Sequence, residues 1–243
     1  MDMQDKGEIG VHPITNIWFS DTDNIGDLAC APSDYFDFGQ PVKRMHVMDI
    51  TSEDRFNHVI LGGGGMCFDE ISEHLKDIRR QTLGKLIVWG VGHNDTLVDG
   101  KWEYPEWVHD ADVVGIRDWD KGLPWCPCAS CMHPIFDLVG EHATHDKYDE
   151  LIVRHKDCNW LSGKAQTVND HGNICTMVDL MGSAKKVVTN TYHGAYWSMM
   201  AKVPEVCVMG WSSKFQAMRK GATLGQCREA NLNMYHRVME AIS

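Results

Sequence analysis

The stretch Lys185–Met200, Lys-Lys-Val-Val-Thr-Asn-Thr-Tyr-His-Gly-Ala-Tyr-Trp-Ser-Met-Met, limits the fold more than any other part of the chain. Val187 and Val188 are β-branched and read as a short buried strand. Thr189, Asn190 and Thr191 are cap-type residues, and Gly194 permits close backbone approach. Ala195, Tyr196, Trp197, Met199 and Met200 then suit a buried helix. Strand, polar turn and helix in immediate succession is the unit from which parallel sheets are built. In such sheets ligands bind at the carboxyl ends of the strands, where helix N-termini present N–H groups to anions. His193 stands at that junction. An imidazole there can bind an anion or move a proton; alternatively it caps the helix and is satisfied by its neighbours.

The same unit recurs along the chain. Ile14–Phe19 reads as a strand that enters the turn Asn24-Ile-Gly26-Asp27, in which Gly26 allows a tight bend and Asp27 can cap the next helix. Arg44–Ile50 reads as a second strand. Phe56–Leu61 reads as a third and runs into Gly62-Gly63-Gly64-Gly65, where the backbone can approach another group closely. Helix Glu70–Gln81 follows, with Ile71, Leu75 and Ile78 on one face. Lys85–Val91 leads to Gly90-Val91-Gly92-His93-Asn94, and Ala111–Ile116 leads to Arg117-Asp118. Arg117 either clamps a carboxylate or phosphate from a strand end or forms a surface pair with Asp118 or Asp120. Leu151–Val153 emits Arg154-His155-Lys156, a local basic spot or a solvated charged turn. Asp157–Gly172, His171 included, reads as loop, and Ile174–Gly182 as helix. Glu205–Met209 is the last strand, with Trp211-Ser212-Ser213-Lys214 leaving its end. Leu224–Ile242 is helical, with Leu232, Tyr235, Val238 and Met239 as its apolar face. This alternation predicts an α/β fold with parallel sheets.

Neither glycine cluster is a nucleotide fingerprint. No Gly-Lys-Ser/Thr follows Gly62–Gly65, and Asp95 stands where a dinucleotide site needs its third glycine. The net charge of −11, from 34 acidic and 23 basic residues, argues against generic nucleic-acid binding. No run reaches the ~18 apolar residues of a membrane span. Met1–Gly10 is polar, without the apolar centre of a signal peptide. Nine cysteines, an odd number, read as reduced thiols in a cytoplasmic protein. Cys126-Pro-Cys128-Ala-Ser-Cys131-Met-His133 contains four zinc-type side chains. Its Cys-x-Cys pair is tighter than usual ligand spacing, and no second pair follows at finger-like separation. The segment is read as a connection with packed free thiols, and no metal is expected.

Six motifs occur together in one order: Asn24-x-Gly26-Asp27, Gly62–Gly65, Gly90-Val91-Gly92, Arg117-Asp118, Asn190-Thr-Tyr-His193-Gly194 and Lys214. From about residue 14 to about residue 218 this pattern resembles the polysaccharide pyruvyl transferase family. The resemblance implies a GT-B-like fold, with two Rossmann-like halves, 1–135 and 136–243, facing across a cleft. It implies transfer of a ketal-forming pyruvyl group from phosphoenolpyruvate to glycan hydroxyls, with no cofactor. His193 would be general acid or phosphate ligand, and Asp27 the base or acceptor-orienting carboxylate. Arg117 and Lys214 would hold the donor's anionic groups, beside Asn190, Tyr192 and Gly194. Asn24, Gly26, Gly63, Gly64, Gly65 and Gly92 would form the glycine-loop side towards the acceptor. The family's last motif is commonly Ser-x-Arg-Leu-His-Gly; here Thr191 replaces its Arg and Tyr192 its Leu. That departure keeps two alternatives open. One is a GT-B glycosyltransferase with a nucleotide-sugar donor, held near Arg154–Lys156 and Lys214. The other is a non-catalytic glycan-binding relative that uses its surplus tryptophans for stacking. The partners expected are a small donor and a glycan acceptor, without nucleic acid or membrane span; self-association as a homo-oligomer is compatible with all three.

Overall fold

The computed structural model describes residues 14–94, 102–158, 160–170, 172–210 and 212–243. Met1–Gly10, Asp95, His171 and Trp211, on which readings above rest, lie outside the described residues. The fold is mixed α/β. In chain order it runs β1 (Ile14–Trp18), α1 (Ile25–Leu28), β2 (Val42–His46), β3 (His58–Cys67), α2 (Asp69–Leu75), α3 (Ile78–Gln81), β4 (Leu86–His93), α4 (Glu106–His109) and β5 (Val113–Ile116). It continues with α5 (Ile135–His142), β6 (Leu151–Arg154), β7 (Gln166–Val168), α6 (Ile174–Gly182), β8 (Lys186–Thr189), α7 (Tyr192–Met200), β9 (Glu205–Val208) and α8 (Leu224–Ile242).

The strands form two sheets, ordered β2-β1-β3-β4-β5 and β7-β6-β8-β9. Every pairing is parallel. The first order is that of doubly wound sheets, and the second repeats its first four positions. Sheets covered on both faces need strands apolar throughout. β1 and β4 are buried at every residue, whereas edge strand β2 exposes Lys43 and Arg44, charges that discourage further pairing. The main apolar core is continuous between the sheets, joining Ile17, Leu61 and Val91 of the first to Leu151, Val153 and Val187 of the second.

Several elements differ from the sequence reading. The second strand is Val42–His46, and Val47–Asp49 is a 3-10 turn. The four glycines lie inside β3, because β4 continues beside them and keeps their backbone paired. Gly63 and Gly64 take φ of +75° and +84°, and the register with β4 shifts between Gly64 and Cys67. The expected helix 70–81 is two helices, the first burying Ile71 and Leu75 and the second Ile78. The expected loop 157–172 contains β7, a half-exposed edge strand without an apolar run to flag it.

The last helix, α8, returns to the first sheet and packs Met234 and Val238 against Ile14, Ile60, Ile87, Trp89 and Val113. Its buried face is Cys227, Asn231, Met234 and Val238, and Leu232 is exposed. The face is therefore rotated from the one read from periodicity, because it is set by a polar contact. Asn231 accepts from Trp89 Nε1 at 2.8 Å and donates to Cys227 O at 3.0 Å and Pro127 O at 3.2 Å. Trp18, Trp89, Trp107 and Trp197 are core residues, which removes them from any glycan-stacking surface. Among the described residues no helix is long and apolar enough to cross a membrane.

Asn231→Leu keeps the branched outline of the side chain but leaves the Trp89 N–H unpaired in the core and removes the amide donor to Pro127 O. The expected loss is ~2–3 kcal/mol, read as a lower urea midpoint at unchanged slope.

Candidate anion-binding site at the sheet ends

Each sheet has a point where the strand order reverses. β1 lies between β2 and β3, and β6 between β7 and β8. Loops leaving such a point diverge and open a crevice at the carboxyl ends of the strands. Here both crevices open on one cavity of about 200 Å³. Phe19, Asn24 and Asp27 reach it after β1, Gly65 and Phe68 at the end of β3, Asn94 after β4 and Arg117 after β5. From the other sheet come His155 after β6, Asn169 after β7, Thr191, Tyr192 and His193 after β8, and Lys214 after β9. Every strand except β2 contributes.

Two short polar side chains organise the loops. Asn24, not Asp27, caps α1: its Oδ1 accepts from Gly26 N at 3.1 Å and from Asn169 Nδ2 at 3.0 Å. Asp27 sits inside the first turn, where it is free to face the cavity. Thr191 caps α7, its Oγ1 accepting from Gly194 N at 2.8 Å. That bond gives a physical reason for threonine here, since an arginine could not supply this short acceptor. Ile25 N donates to Asn169 O at 2.9 Å, and Lys156 pairs with Asp23 at 2.9 Å. The loops after β1, β6 and β7 are thereby tied together.

The cations are deep. Arg117 and Lys214 are 3% and 7% exposed. Arg117 Nη2 donates to His93 O at 2.8 Å, and the guanidinium lies 4.1 Å from the centre of the Tyr192 ring. Its Nε has no partner among the described residues, and no ion pair joins Arg117 to Asp118 or Asp120 there. The surface-pair reading of Arg117 is thus set aside. Gly92 makes this placement possible: a Cβ there would lie 2.5 Å from Arg117 Cγ. Lys214 Nζ donates to Asn94 Oδ1 at 3.0 Å. Burial first, then the neighbouring Arg117, pushes the Lys214 pKa down to about 8, against the pull of Asp27. Burial pushes the Asp27 carboxyl up, opposed by His193, Arg117 and Lys214. His155 is lowered by burial and then by Lys214.

Of the residues singled out in the sequence, Asn24, Asp27, Gly65, Arg117, Tyr192, His193 and Lys214 meet at the cavity. Gly26, Gly63, Gly64, Gly92, Asn190 and Gly194 lie behind it. Asn190 is a brace, its Oδ1 accepting from His155 N at 2.6 Å. Of the basic trio only His155 reaches the lining, because Lys156 turns to Asp23. His193 lines the cavity with its ring tilted on Trp197, centroids 5.1 Å apart. Its Nε2 is turned to two sulfurs, Cys128 Sγ at 3.4 Å and Cys30 Sγ at 3.5 Å. Asn169, Phe19 and Phe68 escaped the sequence reading. Asn169 follows the unrecognised β7, and no local pattern distinguishes it from other loop asparagines. No protein-family model and no curated protein matches the chain.

The depressed Lys214 pKa has a definite sign. Between about 8 and 10.5 the unfolded chain holds a proton that the folded one has released, so stability gains with pH across that window. The penalty is present in full below about 8 and fades towards 10.5. Lys214→Met is expected to be more stable than the parent at pH 7, with the difference shrinking across that window, as urea midpoints at several pH values would show.

Proposed function

We propose that the chain is a GT-B-like transferase that takes phosphoenolpyruvate as donor and passes its pyruvyl group to a pair of sugar hydroxyls. The observation that carries the reading is the pair of buried cations, Arg117 and Lys214, at one small cavity fed by two sheets. Burying two cations side by side is costly, and an anion held between them offsets that cost. Phosphoenolpyruvate carries a carboxylate and a phosphate for the two cations. The volume of about 200 Å³ favours it over a nucleotide sugar, because pockets for larger ligands run to roughly 300–1,000 Å³. Asn94, which orients Lys214, and Tyr192, which supports Arg117, fix where the two charges sit.

The chemistry asks for a proton on the donor's methylene carbon and an alcohol on its C2. Asp27 suits the first step, because burial favours its proton-bearing form. The imidazole Nε2 of His193 is engaged by two sulfurs, so we assign the proton to Asp27 instead. Protonation of C3 and attack of the first hydroxyl on C2 form the C–O bond, and the carboxylate of Asp27 recovers that hydroxyl's proton. The C2–O bond to phosphate then breaks and the second hydroxyl closes the ketal. Its proton leaves on the phosphate. The products are a pyruvate ketal and hydrogen phosphate. Arg117 and Lys214 stabilise the charge gathering on the leaving group.

Incubation with phosphoenolpyruvate and a panel of glycans is expected to release phosphate in step with ketal formation. Binding of nucleotide diphosphates or nucleotide sugars, with no response to phosphoenolpyruvate, would move the assignment to glycosyl transfer. Arg117→Ala is expected to weaken phosphoenolpyruvate binding by ~10–100-fold, the range of one lost charge-assisted contact, by titration calorimetry. Donor affinity is also expected to fall as pH rises beyond about 8, where Lys214 gives up its charge, and Lys214→Arg should move that decline upward.

A further inference from the structure

The cysteines gathered in the segment 126–133 do not stay together in the fold. Cys126 Sγ faces Asn231 Oδ1 at 3.6 Å, and Cys131 Sγ accepts from Asn231 Nδ2 at 3.4 Å. His133 Nε2 faces Cys175 Sγ at 3.9 Å. Cys128 turns the other way, towards two residues far off in sequence. Its Sγ lies 3.5 Å from Cys30 Sγ and 3.4 Å from His193 Nε2, and Cys30 Sγ lies 3.5 Å from the same nitrogen. All three residues are buried.

We propose that Cys30, Cys128 and His193 form a binding site for one soft divalent cation of the zinc type. A tetrahedral ion with Zn–S of about 2.3 Å and Zn–N of about 2.0–2.1 Å sets its ligand atoms roughly 3.6–3.8 Å apart. The three edges found, 3.4–3.5 Å, are within a few tenths of an ångström of that spacing. An equilateral triangle of that edge has corners about 2.0 Å from its centre, so a cation just above the plane reaches all three. Two thiolates and an imidazole are the donor set that selects such ions over magnesium or calcium.

The surroundings are shaped for these three side chains. A Cβ on Gly63 would lie 2.3 Å from Cys30 Cβ, one on Gly26 2.2 Å from His193 Nδ1, and one on Gly90 3.3 Å from Cys128 Cα. Each proposed ligand residue is therefore seated against a glycine that leaves it room. A second layer supports Cys128: Ser130 Oγ donates to its sulfur at 3.2 Å, and Trp197 Nε1 holds Ser130 Oγ at 3.0 Å. Cys30 now donates its thiol proton to Gly26 O at 3.0 Å. Binding expels that proton and the thiol proton of Cys128 to solvent as the two metal–sulfur bonds form. Three protein ligands leave one tetrahedral position for water or another exogenous group.

This assignment does not rest on the donor proposed above, and its readout is the metal itself. The full chain, freed of metal with a chelator under reducing conditions, would be titrated with Co(II) and then Zn(II). The expected result is one equivalent per chain, with thiolate-to-cobalt charge-transfer absorption that zinc abolishes. Cys30→Ser and Cys128→Ser should each lose that absorption, while Cys126→Ser and Cys131→Ser keep it. Circular dichroism checks that each variant is folded. If a ligand variant fails to fold, X-ray absorption on the zinc-loaded parent decides: a shell of two sulfurs with nitrogen or oxygen supports the site. A folded parent that takes up no equivalent, absorption that survives Cys30→Ser or Cys128→Ser, or a shell without sulfur would overturn it.

Discussion

The contact of Gly26 with the imidazole of His193 is the constraint on which the site depends. It brings the first turn of α1, fed by one sheet, against the first turn of α7, fed by the other. A single methyl group on Gly26 would fall 2.2 Å from Nδ1 and force the two turns apart. With the turns in contact, the loops after β1, β6, β7 and β8 close on one space. Asn24 and Asn169 then bond across the same seam. The crevice that each parallel sheet provides becomes half of a shared cavity.

Electrostatics follow from that closure. Once the loops meet, Arg117 and Lys214 lose most of their contact with water, and Arg117 adds to the cost of the Lys214 charge. Two acids lie near them: Asp27, itself penalised by burial, and the buried Asp118, whose carboxyl burial pushes up and Arg117 pulls down. The tyrosine face under Arg117 and the amide oxygen on Lys214 hold the charges in place. An arrangement optimised only for stability would replace such groups with hydrocarbon. Their retention at a strand-end cavity is the physical argument for an anionic ligand, and it stands apart from any family resemblance.

The thiols illustrate how sequence proximity misleads. Cys126, Cys128 and Cys131 look like one cluster, yet successive side chains in an extended or tightly turned segment point in different directions. Cys126 and Cys131 turn to Asn231 and help seat the last helix, whereas Cys128 turns to Cys30 and His193. The one segment therefore serves two places: the seam with α8 and the back of the cavity.

Much of the plan was legible in the chain itself. Short β-branched runs followed by polar or glycine turns specify parallel strands, because both faces of such strands must be apolar and their ends must hold loops. Arg117, Asp27, His193 and Lys214 could be picked out because each stands just beyond a strand, where side chains of a parallel sheet converge. Other features needed the folded molecule. The glycine run became strand because β4 pairs alongside it, a long-range hydrogen-bonding choice that no local pattern encodes. β7 was hidden because an edge strand needs no apolar run, and Asn169 was hidden with it. The rotation of α8 came from one buried hydrogen bond to Trp89. Local residue chemistry thus determined which elements form and which end of each carries polar groups. Which distant side chains share a cavity, and which cysteine meets which histidine, was decided only when tertiary packing brought separate loops within ångströms of one another.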